Sequence, residues 1–243
     1  MSSSLRRAAP LVLPATAGQH TATVIFIHGL GDNGNGWADA IEHMRRRRQR
    51  LGEVKFILPH APTIPITVNG GLRMPGWFDI KALGYSVDSL GNKAVDEDAA
   101  GILQSQSYVH SLIQDEIQAG IPAERIVIGG FSQGGAMSIF SGLTAPVRVA
   151  GIVGLSSWLL LSQSFRDYVP SGDLNKTTPI LMGHGDADPI VRYSLAMDSE
   201  AALKGMGYDV TLKTYKEMEH SACAEELDEV EAFIAARLPA KSG

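Results

Sequence analysis

A single cysteine, Cys223, rules out an intrachain disulfide and fits a reducing compartment. No apolar run approaches the ~18–20 residues that a membrane-spanning helix needs. There is no basic excess: 21 Lys and Arg face 26 Asp and Glu, a net charge of −5, which argues against nucleic acid as a partner. Repeats, low-complexity stretches and a dividing linker are also missing. With 243 residues and 44% apolar content, one α/β domain with a sizeable core is expected over residues 21–240. No acidic residue precedes Asp32, and Arg6, Arg7 and three serines stand near the start. That composition could serve a weak organellar transit signal, but Pro10 and Pro14 break any amphipathic helix there, so residues 1–20 read as a flexible or extended lead-in.

What is present centres on Gly130-Phe131-Ser132-Gln133-Gly134-Gly135. A short apolar strand pattern, Arg125 to Gly129, precedes it, and a helical pattern from Ala136 follows. Strand, G-x-S-x-G and helix make a nucleophile elbow. The turn is so tight that residues 130 and 134 must be glycine, and it lifts the Ser132 hydroxyl above the sheet edge. The Gln133 N–H then lies at a helix N-terminus, where it can stabilise an oxyanion. An ordinary Gly-rich turn is the competing reading, and the partners further along the chain weigh against it.

Thr23 to Ile27 reads as a buried strand ending in His28-Gly29-Leu30-Gly31-Asp32-Asn33-Gly34. Its position matches the loop that supplies the second oxyanion donor, assigned to the Leu30 N–H. A phosphate-binding turn is the alternative: residues 29 to 34 have the G-x-G-x-x-G spacing, but no Lys-Ser/Thr pair accompanies it, which disfavours a nucleotide loop. His28 is expected to pack and bond the loop. Trp37, Ile41, Met44 and Leu51 fall at helical spacing on a segment carrying Arg45 to Arg48 and Arg50. The run reads as a solvated helix end, with transient contact to an anionic membrane surface as the alternative.

Val54 to Leu58 is the next strand. The stretch 61–92 is poor in helical pattern and holds Met74, Trp77, Phe78, Ile80 and Leu83. A long apolar loop suggests a cover for an acyl chain, or a satellite core. Val95, Ala99, Ile102, Val109 and Ile113 mark a long helix, with Asp96, Glu97 and Asp98 expected in its first turn. Trp158 and Leu159, past the strand Val149 to Leu155, could line the acyl site or belong to the core. After the strand from Pro179 come Asp186 and Asp188, either of which could be the acid of a triad; Asp186 suits a turn-forming role. His220 follows the strand Val210 to Tyr215, in the position of the base, and a final helix carries Leu227, Val230, Ile234 and Leu238.

The elbow, His28 to Asp32, Met74-Pro75-Gly76-Trp77-Phe78-Asp79-Ile80, His184-Gly185-Asp186-Ala187-Asp188-Pro189 and Tyr215 to Ser221 together resemble the acyl-protein thioesterase/lysophospholipase family, particularly its fungal cytosolic members. The resemblance implies an α/β-hydrolase fold, a mostly parallel sheet with helices on both faces. It implies a triad of Ser132, Asp188 and His220, oxyanion donors at Leu30 and Gln133, and an acyl groove covered by the segment from Trp77 to Leu83. The implied substrates are S-palmitoylated cysteines of proteins such as G-protein α subunits and Ras-like GTPases. Lysophospholipids and small esters are the alternative, and a non-catalytic lipid-binding module is a remote one. No metal or organic cofactor is expected. A monomer or weak homodimer in the cytoplasm, with the nucleus as a second compartment, completes the expectation. Some members carry a lipidated cysteine near the N-terminus, where Ser2, Ser3 and Ser4 stand here.

Overall fold

A computed structural model describes residues 7–82, 86–87, 93–94 and 96–241. In chain order the elements are β1 Leu11–Leu13, β2 Ala22–Ile27, α1 Ala38–Arg48, β3 Val54–Leu58, β4 Thr63–Ile66, β5 Leu72–Pro75, β6 Ser86–Val87, β7 Lys93–Ala94, α2 Ala99–Gln118, β8 Ile126–Phe131, α3 Gln133–Leu143, β9 Gly151–Leu155, β10 Ile180–Gly185, α4 Tyr193–Gly205, β11 Val210–Tyr215 and α5 Ala224–Arg237. Seven strands form one sheet in the order β1-β3-β2-β8-β9-β10-β11, and every neighbouring pair is parallel except β1 with β3.

Strand periodicity divides the core in two. Ile25, Ile27, Ile126, Ile128, Ile152, Ile180 and Met182 share a cluster with residues of α2, α3 and α4. Val24, Phe26, Val127, Val153, Leu155 and Leu181, their alternate neighbours, share the other with α1 and α5. Successive side chains of a strand point to opposite faces, so a strand covered on both sides must be apolar throughout. That is why Ala22–Ile27 is buried at every position.

Several sequence expectations shift in detail. The lead-in is extended, but Leu11–Leu13 pairs with Phe56 to Leu58 as an edge strand. Trp37 lies in a 3-10 turn before α1, and Leu51 lies beyond that helix, although both are partly or fully packed. The 61–92 stretch contains a hairpin, β4 with β5, and a second short pairing joins β6 to β7. Asp96 and Glu97 precede α2; Asp98 is its N-cap and accepts the Gly101 N–H. Val95 lies outside the described residues. The arginine run is largely turned onto α5: Arg47 and Arg48 pair with Asp228, Arg48 and Arg50 with Glu231, while Arg45 is buried against Glu42. Arg46 is the most exposed of them, at 81%, and pairs with Glu42.

Helix α5 also brings Glu226 against the backbone of β10 at Gly183. The residue is fully buried, and among the described residues neither carboxyl oxygen has a hydrogen-bond partner. Burial, and then the neighbouring Glu229, push its pKa up to about 8. Because the folded value lies above the unfolded one, its contribution to stability is whole below the ordinary carboxylate range and is lost as pH rises towards 8. Glu226→Gln should therefore flatten the stability curve. Its advantage over wild type should be small near pH 5 and reach about 3 kcal/mol near pH 9, at ~1.4 kcal/mol per unit less an allowance for relaxation. Urea midpoints measured across that range check this; parallel curves would contradict it.

Candidate active site

In an open parallel sheet, ligands bind at the carboxyl ends of strands, where the strand order reverses. The reversal here falls between β2 and β8, which are adjacent while their successors run outward in opposite directions. At that point Gly29 and Ser132 meet: a Cβ on Gly29 would lie 3.3 Å from the Ser132 Cβ. Ser132 sits at φ 54°, ψ −122°, a conformation that costs a non-glycine residue free energy of order 1–3 kcal/mol. Its N–H donates to Leu155 O at 2.8 Å, and its carbonyl accepts from Ala136 N at 2.9 Å. Gly130 and Gly134 leave the room this turn requires, since a Cβ on Gly130 would lie 2.5 Å from Gly134 C and O.

Asp188 and His220 reach this serine from the ends of β10 and β11. His220 Nε2 is 3.0 Å from Ser132 Oγ, and His220 Nδ1 is 2.7 Å from Asp188 Oδ2. The Asp188 side chain is completely buried, whereas the imidazole of His220 is 18% exposed. Asp188 Oδ1 accepts the N–H groups of Ile190 and Val191 at 2.8 and 2.9 Å. These two donors fix the carboxyl group in the turn, with Oδ2 turned to the imidazole. The carboxyl group therefore presents a proton acceptor to Nδ1 and leaves Nε2 bare towards the serine. Asp186, the competing acid, instead accepts the Glu217 N–H at 2.6 Å on the surface.

His28 is buried and serves the loops. Its Nε2 accepts the Ala61 N–H, so Nδ1 carries the proton and donates to Gly29 O. Burial lowers its pKa and keeps the ring neutral. Leu30 lines the cavity beside the serine, and Gln133 opens α3. The Gln133 carboxamide also bridges to the covering segment, accepting from Trp77 N and donating to Phe78 O.

A cavity of about 590 Å³ opens at Ser132 and His220. Phe78, Ile80 and Trp158 lie on its wall, as the sequence suggested; Phe78 and Trp158 meet edge to face at 6.4 Å. Three other residues assigned to substrate contact lie elsewhere. Trp77 is in the core, with its indole N–H donating to His28 O; Leu159 is in the core under Ser199; Met74 is on the β4–β5 hairpin beside Asn69. Leu83 falls outside the described residues. The wall also includes residues the sequence did not single out for it: Val68, Phe131, Ile190, Val191, Leu195 and Glu97. Phe131 was the one with a signal, being the x residue before the elbow serine; its ring packs tilted against that of His220, the centroids 4.8 Å apart. Glu97 accepts the Leu161 N–H, and burial pushes its carboxyl up to about 7.

Residues 10–238 match the Phospholipase/Carboxylesterase family. The chain is 62% identical to acyl-protein thioesterase 1 of Neurospora crassa, covering 97% of this chain and 94% of that one. It is likewise 62% identical to acyl-protein thioesterase 1 of Gibberella zeae, covering 97% and 98%. Among solved structures, Zea mays acyl-protein thioesterase 2 superposes with a TM-score of 0.79 at 31% identity, over 94% of this chain and 98% of that one. Arabidopsis thaliana SOBER1 does so with a TM-score of 0.80 at 30% identity, over 89% and 99%. A seven-stranded sheet, a strained serine at its reversal point and relatives matched over nearly their whole length agree: the chain belongs to the phospholipase/carboxylesterase family of α/β-hydrolases.

Proposed function

We propose that the protein is a serine hydrolase that removes long-chain fatty acyl groups, palmitoyl among them, from S-acylated cysteines of proteins. The observation that carries this reading is the Ser132–His220–Asp188 hydrogen-bonded chain at the mouth of a cavity walled by Phe78, Ile80 and Trp158. His220 takes the Ser132 proton as Oγ attacks the thioester carbonyl, and Asp188 holds the ring and stabilises the imidazolium. The N–H groups of Leu30 and Gln133 receive the oxyanion; losing one such donor typically costs ~3 kcal/mol. The cysteine sulfur leaves and takes up the His220 proton to become a thiol of pKa about 8.5; the freed His220 then deprotonates water, which attacks the acyl-enzyme, and the proton returns to Ser132 Oγ as the fatty acid is released. Each buried CH₂ of the acyl chain contributes roughly 0.8 kcal/mol, so an apolar wall favours long chains. S-acylated G-protein α subunits and Ras-like GTPases in the cytoplasm or nucleus are the substrates proposed. In this reading Arg46, the most exposed arginine of the run, is the residue that meets a membrane surface.

The test compares initial rates on a palmitoylated cysteine peptide and its matched serine oxygen ester. Preference for the thioester supports the proposal. A faster oxygen ester would make the protein an esterase or lysophospholipase, and labelling by no serine-directed covalent probe would leave a lipid-binding module.

A further inference from the structure

A second imidazole meets the acid. His184, near the end of β10, is completely buried, and its Nε2 lies 3.4 Å from Asp188 Oδ2, the oxygen that also receives His220. The same Nε2 is 2.7 Å from Val191 O. A carbonyl can only accept, so Nε2 carries a proton and the ring is the Nε2–H tautomer. Val191 in turn donates its N–H to Asp188 Oδ1, which closes a ring of contacts through His184, Asp188 and Val191. Val191 is on the cavity wall, so this ring joins the acid to the acyl site.

The surroundings hold His184 neutral. Burial is the main cause of its lowered pKa; among charged groups Asp188 opposes the shift and His220 adds to it. From α4 the Tyr193 ring packs against it edge to face at 5.9 Å. Nδ1 has no hydrogen-bond partner among the described residues. A neutral ring can still place the positive end of its N–H dipole beside a carboxylate, and in a buried setting that end weakens the carboxylate's hold on a second cation.

We propose that His184 is a positioning residue for the acid: it fixes the 188–191 turn through Val191 O and, by sharing Asp188 Oδ2, limits how strongly that oxygen stabilises the imidazolium of His220. The inference rests on the proposed triad. Its consequence is a pH effect with a definite sign. Without the His184 N–H, Asp188 acts undivided on His220, the imidazolium is favoured, and the base loses its proton only at higher pH.

The experiment is the pH dependence of kcat/KM on a short-chain p-nitrophenyl ester, for wild type, His184→Met and His184→Gln. Methionine fills the site without a donor. Glutamine reaches as far as Nε2 and keeps one. His184→Met should move the acidic limb upward by about half a unit, with kcat reduced on the order of tenfold through lost orientation. His184→Gln should return the limb to its wild-type position. If His184→Met does not fold, His184→Asn, whose amide is too short to reach Val191 O, reads the same limb. A lower Tm with an unmoved limb would overturn the proposal and leave His184 a packing residue. So would a shifted limb that glutamine fails to restore. Failure of the triad itself shows differently, as full activity in Asp188→Asn, and is read independently.

Discussion

Ser132→Ala is expected to lower kcat on both thioester and oxygen ester by a factor of ~10⁴–10⁶, leaving only what the oxyanion donors and binding supply. The size follows from what the hydroxyl does. In the proposed mechanism its oxygen is the bonding atom, and its proton has a defined acceptor in His220 Nε2 at 3.0 Å. The fold should survive. Ser132 makes its structural bonds through its backbone, to Leu155 O and from Ala136 N, and alanine keeps both. The cost of φ 54° is the same for either residue, and losing a hydroxyl that is 92% buried with its residue removes little packing. The variant should therefore melt at or slightly above the wild-type temperature, as is common where a strained site serves function. The check pairs single-turnover rates with labelling by a fluorophosphonate probe. Residual activity above about 1% of wild type, well outside the expected range, would remove the elbow from the mechanism.

Much of this site was legible because its parts are local. The elbow needs glycine at 130 and 134 for reasons contained in six residues, and strand–loop positions for Asp188 and His220 follow chain order. The choice between Asp186 and Asp188 was not local. Two residues apart on one loop, they differ only in which meets a histidine 32 positions later. Trp77 and Phe78 show the same limit: both are apolar and adjacent, yet one sends its indole to His28 O while the other reaches the cavity wall. An irregular segment has no period from which to tell inward from outward. The arginine run was opaque because Asp228 and Glu231, which absorb most of its charge, lie some 180 residues away. In Asp96-Glu97-Asp98 the helix dipole argument suited all three carboxylates, but a cap is a geometric position that only Asp98 occupies; Glu97 turns instead to Leu161.

Gly134→Ala should be among the most damaging single-methyl substitutions at the described residues. A Cβ there would lie 2.5 Å from Ile27 C and closer still to Ile27 O and His28 O. These are backbone atoms of β2 and its carboxyl end, with no rotamer to yield. Relief requires α3 to move away from the sheet, and all eleven residues of α3 are buried. Overpacking of side chains typically costs 1–3 kcal/mol; a clash with backbone on a helix locked at every position should exceed that, at about 4–5 kcal/mol. For a domain of this size that is a fall in Tm of roughly 10–20 °C. Activity should fall further than stability alone explains. Any shift of α3 carries the Gln133 N–H with it and pulls on the carboxamide that holds Trp77 N and Phe78 O, and a displacement near 1 Å can cost ~10²-fold in rate. Gly205→Ala provides the contrast. At the last position of α4 a Cβ would meet nothing within 4 Å, and replacing a helical glycine should be neutral or stabilise by up to ~1 kcal/mol. Thermal melts and initial rates of the two variants, measured side by side, check the argument. A Gly134→Ala protein with wild-type Tm and rate would mean that the elbow has room the geometry denies, and the steric reason for glycine at that position would fall with it.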